Sequence, residues 1–247
     1  MNNSAGVIWS QRNTHFYGRD DAENNVNLPW QGIVQALIRE GIPYQPLHVD
    51  DIDRDASRFS LLILPNYGSL STQQAESIEG FVSNGGSVFA TGETSLFDEE
   101  GWMRSDYALA NLFKTHYLAI ASTDKVYDPG RAYHTYLRLT DEYHEILEGF
   151  ELTDTLPFGG GLQALKTDAG VDVLATFIPE YPIYSPEMAW MREPDTDFPG
   201  LIAHTLPNGS RIAFMPAAID RLFARFNLPD HGALLGNIIR WTYKTRF

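Results

Sequence analysis

Leu61 to Asp98 reads LLILPNYGSLSTQQAESIEGFVSNGGSVFATGETSLFD, and this stretch decides the fold. Leu61-Leu62-Ile63-Leu64 is an unbroken apolar run of strand length, stopped by Pro65-Asn66-Tyr67-Gly68. Ser71 or Thr72 can cap a helix, Ile78, Phe81 and Val82 give that helix one apolar face, and Asn84-Gly85-Gly86 ends it. Ser87 to Ala90 is a second short strand, and Thr91-Gly92-Glu93-Thr94-Ser95 turns out of it. Strand, helix, strand and turn in so short a span is a βαβ unit. A strand that is apolar throughout is buried on both faces, which implies a parallel sheet covered by helices. In such sheets ligands bind beyond the carboxyl ends of the strands. Those ends here carry Asn66-Tyr67-Gly68 and Gly92-Glu93-Thr94-Ser95.

Toward the amino terminus, Gly6 to Ser10 reads as the first strand. A polar and aromatic loop, Gln11 to Asn27, leaves its carboxyl end. Loops of this length are uncommon unless they serve a function or are disordered. Pro29 suits the first turn of a helix whose apolar residues Trp30, Ile33, Val34, Leu37 and Ile38 repeat at helical spacing up to Gly41. Tyr44 to Val49 is a second strand, and Asp50, Asp51 and Asp53 form an acidic connection to the central unit.

Toward the carboxyl terminus, a helix is expected at Tyr107 to Phe113 and strands at Tyr117 to Ser122 and His134 to Thr140. From Asp141 to Pro199 the pattern is that of a β-rich elaboration, with Leu174 to Ile178 its clearest strand and a long loop from Pro179 to Pro199. Leu201 to Leu206 and Arg211 to Met215 flank Pro207-Asn208-Gly209-Ser210, a strong hairpin signal. Pro229 to Tyr243 is a helix with Leu234, Leu235, Ile238, Ile239 and Trp241 available to pack on the sheet. We read residues 1–247 as a single α/β domain whose β-rich elaboration runs from about 115 to 200.

Composition narrows the function. The 247 residues carry a net charge of −14, which argues against nucleic acid and against anionic membrane surfaces. There is no cysteine, so disulfides, thiolate nucleophiles and Cys-held metals are excluded. The amino-terminal residues lack the basic and apolar regions of a signal peptide, and no apolar run has the length of a membrane helix. A cytoplasmic protein is the expectation.

The motifs also resemble a family. The segment GGSVFATGETSLFDEEG after the strand–helix pair resembles the class I glutamine amidotransferase-like, flavodoxin-type fold. More narrowly, WSQRNTHFYGR (9–19), GETSLFDEEGWMRSDYALANLF (92–113) and PDHGALLGNIIRW (229–241) are similar to the trimerisation domain of family 42 β-galactosidases and of related glycoside hydrolases. The stretch from about 141 to 199 lies outside this resemblance. The resemblance implies a non-catalytic module that helps assemble an oligomer or seats against a glycosidase catalytic domain. Glutamine amidotransferases place a nucleophilic Cys at the turn that here reads Thr91-Gly92-Glu93-Thr94, so their chemistry is ruled out.

Each candidate site residue has two readings. Glu93, at the nucleophile turn, is either a carboxylate for sugar binding or acid/base work, or a partner of the amides of a following helix. Thr94 and Ser95 are nucleophile candidates or helix caps, and the turn does not match a G-x-S-x-G elbow. A saccharide hydrolase of the retaining kind needs two carboxylates about 5–5.5 Å apart, and Glu93 with Asp220 is the nominated pair. Around them, Arg12, Asn66, Tyr67, Gly92, Thr94 and Ser95 are the candidate ligand-binding positions, with a saccharide as the ligand. Arg12, His15, Phe16, Tyr17 and Arg19 on the first loop suit either an interface or a ligand. Asp220-Arg221 is either an ion pair facing the crevice or a surface pair. His134, His144 and His204 lack metal-ligand spacing, and Asp98, Glu99 and Glu100 lack a calcium-loop pattern, so neither a metal nor another cofactor is expected. Tyr181, Tyr184, Met188, Trp190 and Met191 form either a contact patch or a satellite core.

Overall fold

The computed structural model describes residues 4–118, 135–140, 143–160, 162, 164–180, 185, 187 and 196–243. Strand β1 (Ser4–Trp9) is followed by helix α1 (Gln11–Phe16), a π-helical turn (Glu23–Asn27) and helix α2 (Leu28–Arg39). The expected long loop is thus largely helical. Ser10 Oγ caps α1 by accepting from the Asn13 amide at 3.1 Å. Only Asn13 of α1 is buried, so the helix has no apolar stripe to betray it in the sequence. Strand β2 (Tyr44–His48) is the expected second strand, and a short 3₁₀ turn and helix α3 (Ile52–Asp55) take the place of the acidic connection.

Next come β3 (Phe59–Leu64), α4 (Thr72–Ser83) and β4 (Ser87–Thr91), the βαβ unit. Ser71 caps α4, and the cap is reciprocal. Ser71 Oγ accepts from the Gln74 amide at 3.2 Å, and Gln74 Oε1 accepts from the Ser71 amide at 2.9 Å. Helix α5 (Ala110–Phe113) begins later than the expected span and ends with it at Phe113, where Lys114 takes the left-handed conformation. Strands β5 (Thr115–Tyr117), β6 (Tyr136–Leu139), β7 (Thr155–Pro157), β8 (Leu165–Thr167), β9 (Asp172–Ile178), β10 (Pro199–Thr205) and β11 (Arg211–Met215) follow. Gly209, at a φ of +83°, makes the turn between β10 and β11, where Leu206 N donates to Ser210 O at 2.8 Å. Helices α6 (Ile219–Phe226) and α7 (Pro229–Thr242) complete the described chain. Helix α6 has no counterpart in the sequence reading.

One mixed sheet runs β2-β1-β3-β4-β11-β10-β9-β6-β7. From β2 to β11 neighbouring strands are parallel; from β11 to β7 they are antiparallel. The β-rich region therefore extends the parallel sheet, and only β5 and β8 pair apart from it. At the two ends of this row, among the described residues, β2 carries Pro46 and β7 carries Pro157.

The sheet is covered on both faces. Along β3, Leu61 and Ile63 join the core that holds Ile33, Leu37, Phe223 and Leu235 from α2, α6 and α7. Leu62 and Leu64 join the opposite core with Ile78, Phe81 and Phe113 from α4 and α5. Strand β1 leads to α2 on the first face, and β3 leads to α4 on the second. The two connections diverge above β1 and β3, which opens a crevice at the carboxyl ends of these strands, the position at which such sheets bind ligands. Among the described residues no helix is long and apolar enough to cross a membrane.

Candidate functional site

At the carboxyl ends of β3 and β4 the floor of the Glu93 site is built by two turns whose backbones are held in the left-handed region, Asn66 after β3 at a φ of +44° and Gly92 after β4 at +61°. Asn66 ties them together. Its Oδ1 accepts from the Glu93 amide at 2.7 Å, its Nδ2 donates to Asn25 O in the π-helical turn at 2.8 Å, and its own amide donates to Thr91 Oγ1 at 2.8 Å. Only glycine fits at position 92, since a Cβ there would lie 2.2 Å from Asn66 Oδ1.

Glu93 is half-buried at the lip of this floor. Tyr17 Oη donates to Glu93 Oε2 at 2.8 Å and lies 3.1 Å from Asn66 Oδ1. Burial pushes the Tyr17 phenol up, and the Glu93 charge beside it pushes the same way, so Tyr17 stays a proton donor. Its ring packs against Phe97 at 5.0 Å and over Gly68, where a Cβ would lie 2.4 Å from the ring. The Glu93 carboxylate is thus met by a phenol from the end of α1, not by helix amides. No helix directly follows the β4 turn; the next, α5, begins only at Ala110.

Thr94 and Ser95 are likewise not helix caps, and both are fully buried. Thr94 Oγ1 accepts from Tyr67 N at 3.0 Å and lies 2.7 Å from Thr91 O and 3.1 Å from Leu64 O. Ser95 sits at a φ of +68° and accepts from Leu109 N at 3.2 Å through Oγ. These hydroxyls fix the shape of the turn from beneath.

Asp220 opens α6 under the same floor with no exposed surface. Its Oδ2 accepts from Thr91 Oγ1 at 2.5 Å and its Oδ1 from the Arg221 amide at 2.8 Å. Burial pushes its carboxyl up, against the pull of those bonds and of the Arg221 charge. Asp220 therefore reaches Glu93 only through Thr91 and Asn66. It does not face the crevice, and it is not half of a surface pair. Of the nominated carboxylate pair, Asp220 therefore has no exposed surface to present to a glycosidic bond beside Glu93. Arg221 is partly buried, which lowers its pKa, and its charge is felt by Asp220, Tyr17 and Glu93.

Arg12 lies on the outer side of α1. Its Nε donates to Glu99 O at 2.8 Å and its guanidinium stands 5.3 Å from the Phe16 ring. The Asp98 turn is a local one, with Asp98 Oδ1 accepting from the Glu100 and Trp102 amides. Tyr67 is buried, its hydroxyl 2.5 Å from Ser10 Oγ, and its ring lines a separate cleft beside β1. Glu93, Arg12 and Tyr67 thus do not converge on a single pocket. His144 caps a 3₁₀ turn through Nδ1 and packs on Trp241. His204 is buried, and burial lowers its pKa to about 4, even with the Leu112 carbonyl and Asp172 pulling upward. Among the described residues no three of His, Asp and Glu converge as metal ligands. His134 and the Tyr181, Tyr184, Met188, Trp190 and Met191 group lie outside the described residues.

The role of Tyr17 as partner of Glu93 was not visible in the sequence, where it was one of several first-loop residues. Neither was the cleft beside β1, whose lining includes Trp9, Asn27, Trp30 and Gln31. Asn27 and Gln31 stand four apart where the chain enters α2, the one periodic signal that pointed at it.

No family model matches the chain, and no curated protein matches it. Solved structures do. β-Galactosidase from Bacillus circulans sp. alkalophilus superposes with a TM-score of 0.67 at 18% identity, over 98% of this chain and 31% of that one. α-L-Fucosidase isoenzyme 2 from Paenibacillus thiaminolyticus superposes with a TM-score of 0.64 at 14% identity, over 97% of this chain and 33% of that one. The mmIFT52 N-terminal domain superposes with a TM-score of 0.60 at 12% identity, over 99% of both chains. The chain spans about a third of the length of the glycosidases it matches. The resemblance to the family 42 β-galactosidases read from the sequence holds at the level of the fold.

Proposed function

We propose that this chain is a non-catalytic module of a carbohydrate-active assembly, joining copies of itself or seating against a glycosidase catalytic domain. The observation that carries this reading is an exposed apolar face at the crevice rim. Trp102 is 70% exposed, Met103 48% and Phe16 38%. They belong together, because the Asp98–Trp102 turn packs on the end of α1. Arg12 bonds Glu99 O across the join, and a Cβ at Gly101 would lie 3.0 Å from Phe16 O. Aromatic residues, Met and Arg are the types enriched in protein interfaces. The likeness of fold to about a third of a β-galactosidase chain supports the same reading. So does the state of the nucleophile turn, where the one carboxylate is held by Tyr17 and the second is sealed beneath it.

The test is sedimentation equilibrium of the chain alone and with a glycosidase catalytic domain that lacks such a module. The expected result is association at micromolar concentration, weakened at least about tenfold by joint Phe16→Ser and Trp102→Ser substitution, or about 1.4 kcal/mol. A chain that stays monomeric and binds no catalytic domain overturns the reading.

A second reading is a saccharide hydrolase using Glu93, favoured by a half-buried carboxylate at the strand ends with a phenol donor at 2.8 Å. It requires that Glu93→Gln abolish turnover of an aryl glycoside while the far-ultraviolet circular dichroism stays that of the parent. Activity surviving the substitution removes Glu93 from the chemistry.

A further inference from the structure

The cleft above β1 and β3 is used by neither reading. It has a volume of about 510 Å³, within the range of small-molecule sites. It lies beyond the carboxyl ends of β1 and β3, where the connections to α2 and α4 part company. We infer that this cleft is a binding site for a neutral saccharide, held by the Trp9 indole and the carboxamides of Asn27 and Gln31. The inference rests on the cleft's own residues and goes beyond the assembly reading.

Charge is the first argument. The chain carries −14, yet among the described residues no Asp, Glu, Lys, Arg or His lines the cleft. The Tyr67 phenol does line it, with Ser10 as its hydrogen-bond partner and its pKa raised by burial. An anionic ligand such as a nucleotide or flavin phosphate would find no cation here. It would also find the Asn13 amide of α1 engaged, since Ser10 Oγ already accepts from it. The surrounding negative charge repels anions further.

The chemistry of the walls is the second argument. Trp9 is 45% exposed at the end of β1 and is held by His48, which meets it edge-on at 5.2 Å. An exposed, braced indole is a rigid flat surface, and the C–H face of a pyranose ring is its complement. Trp30 adds a second apolar surface on the α2 side. Facing these, Asn27 uses its Nδ2 on Glu23 and leaves its Oδ1 available, while the exposed Gln31 carboxamide has no partner among the described residues. A carboxamide both donates and accepts, as a sugar hydroxyl does. The Thr14 hydroxyl lies in the same cleft and can do the same.

The test is a titration followed by calorimetry and by tryptophan fluorescence, with galactose, lactose and cellobiose as neutral probes and glucuronate and glucose 6-phosphate as anionic ones. The expected result is saturable binding of at least one neutral probe, weaker binding of the anionic probes, and at least about tenfold loss in both Trp9→Ala and Gln31→Ala. Gln31 is exposed on a helix surface, so its variant remains informative if Trp9→Ala does not fold. No saturable signal with any neutral probe overturns the inference. Undiminished affinity in Gln31→Ala, or tighter binding of an anionic probe, does the same. The assembly reading is judged by sedimentation, so either conclusion can fail alone.

Discussion

Asn66 and Gly92 show how two residues set a site. Their left-handed backbones bring the β3 and β4 turns together, and the Asn66 carboxamide occupies the space a Cβ at 92 would need. Gly92→Ala should therefore destabilise the chain by about 2–4 kcal/mol, the sum of left-handed strain and lost Asn66 hydrogen bonds. Urea unfolding checks the value, and a change below about 0.5 kcal/mol, the scatter of ordinary surface substitutions, contradicts it. His204 gives a pH prediction. Its folded pKa of about 4 lies below the ordinary 6.5, so on acidification the unfolded chain takes up the proton first. Its stabilising contribution is complete above pH 6.5 and is lost as pH falls toward 4, by roughly 3 kcal/mol at most. Asp220 works the other way, since burial favours its protonated form. The comparison must then be differential: His204→Leu should flatten the fall in melting temperature between pH 6.5 and 4 relative to the parent. Parallel pH profiles for parent and variant would contradict this.

Among elements, those with a long apolar pattern are legible in the sequence, and the polar or short ones are not. The run Leu61 to Leu64 announced a strand covered on both faces, and Ser71 with Gln74 announced the start of α4. Helix α1 was read as loop because its one buried residue is Asn13, a polar side chain spent on Ser69 N. Helix α6 is hard to read because it is short and because a charged residue, Asp220, shares the buried face with Ile219, Leu222 and Phe223. The Glu93 constellation was illegible for another reason. It joins residues 17, 66, 91, 93 and 220, which only the completed sheet brings together. Helices α2 and α6 approach closely at Gly32. A Cβ at Gly32 would lie 1.9 Å from Asp220 O. Gly32→Ala would gain helix propensity of about 1 kcal/mol but force the helices apart. The expected net effect is a loss of about 1–3 kcal/mol, read by thermal unfolding. A variant as stable as the parent would mean the helices separate freely.

At the scale of the whole molecule, the fold was readable as an α/β sheet with a β-rich extension, and the cores on its two faces follow the strand alternation. Function is less determined, because the same architecture spans a third of a fucosidase and the whole of the mmIFT52 N-terminal domain. Both functional proposals for this chain rest on its loops, on the rim around Trp102 and the cleft beside Trp9. The two prolines at the ends of the strand row bear on how that rim can be used. An outermost strand normally offers a ladder of free amides and carbonyls on which another chain can template itself. Pro46 and Pro157 each remove an amide from that ladder, and a proline within an outer strand interrupts the regular repeat an incoming strand requires. Copies of this protein are thereby discouraged from fusing their sheets into an open-ended ribbon. Growth by strand addition would have no natural limit, whereas a surface patch that meets its own copy about a twofold axis closes at two copies.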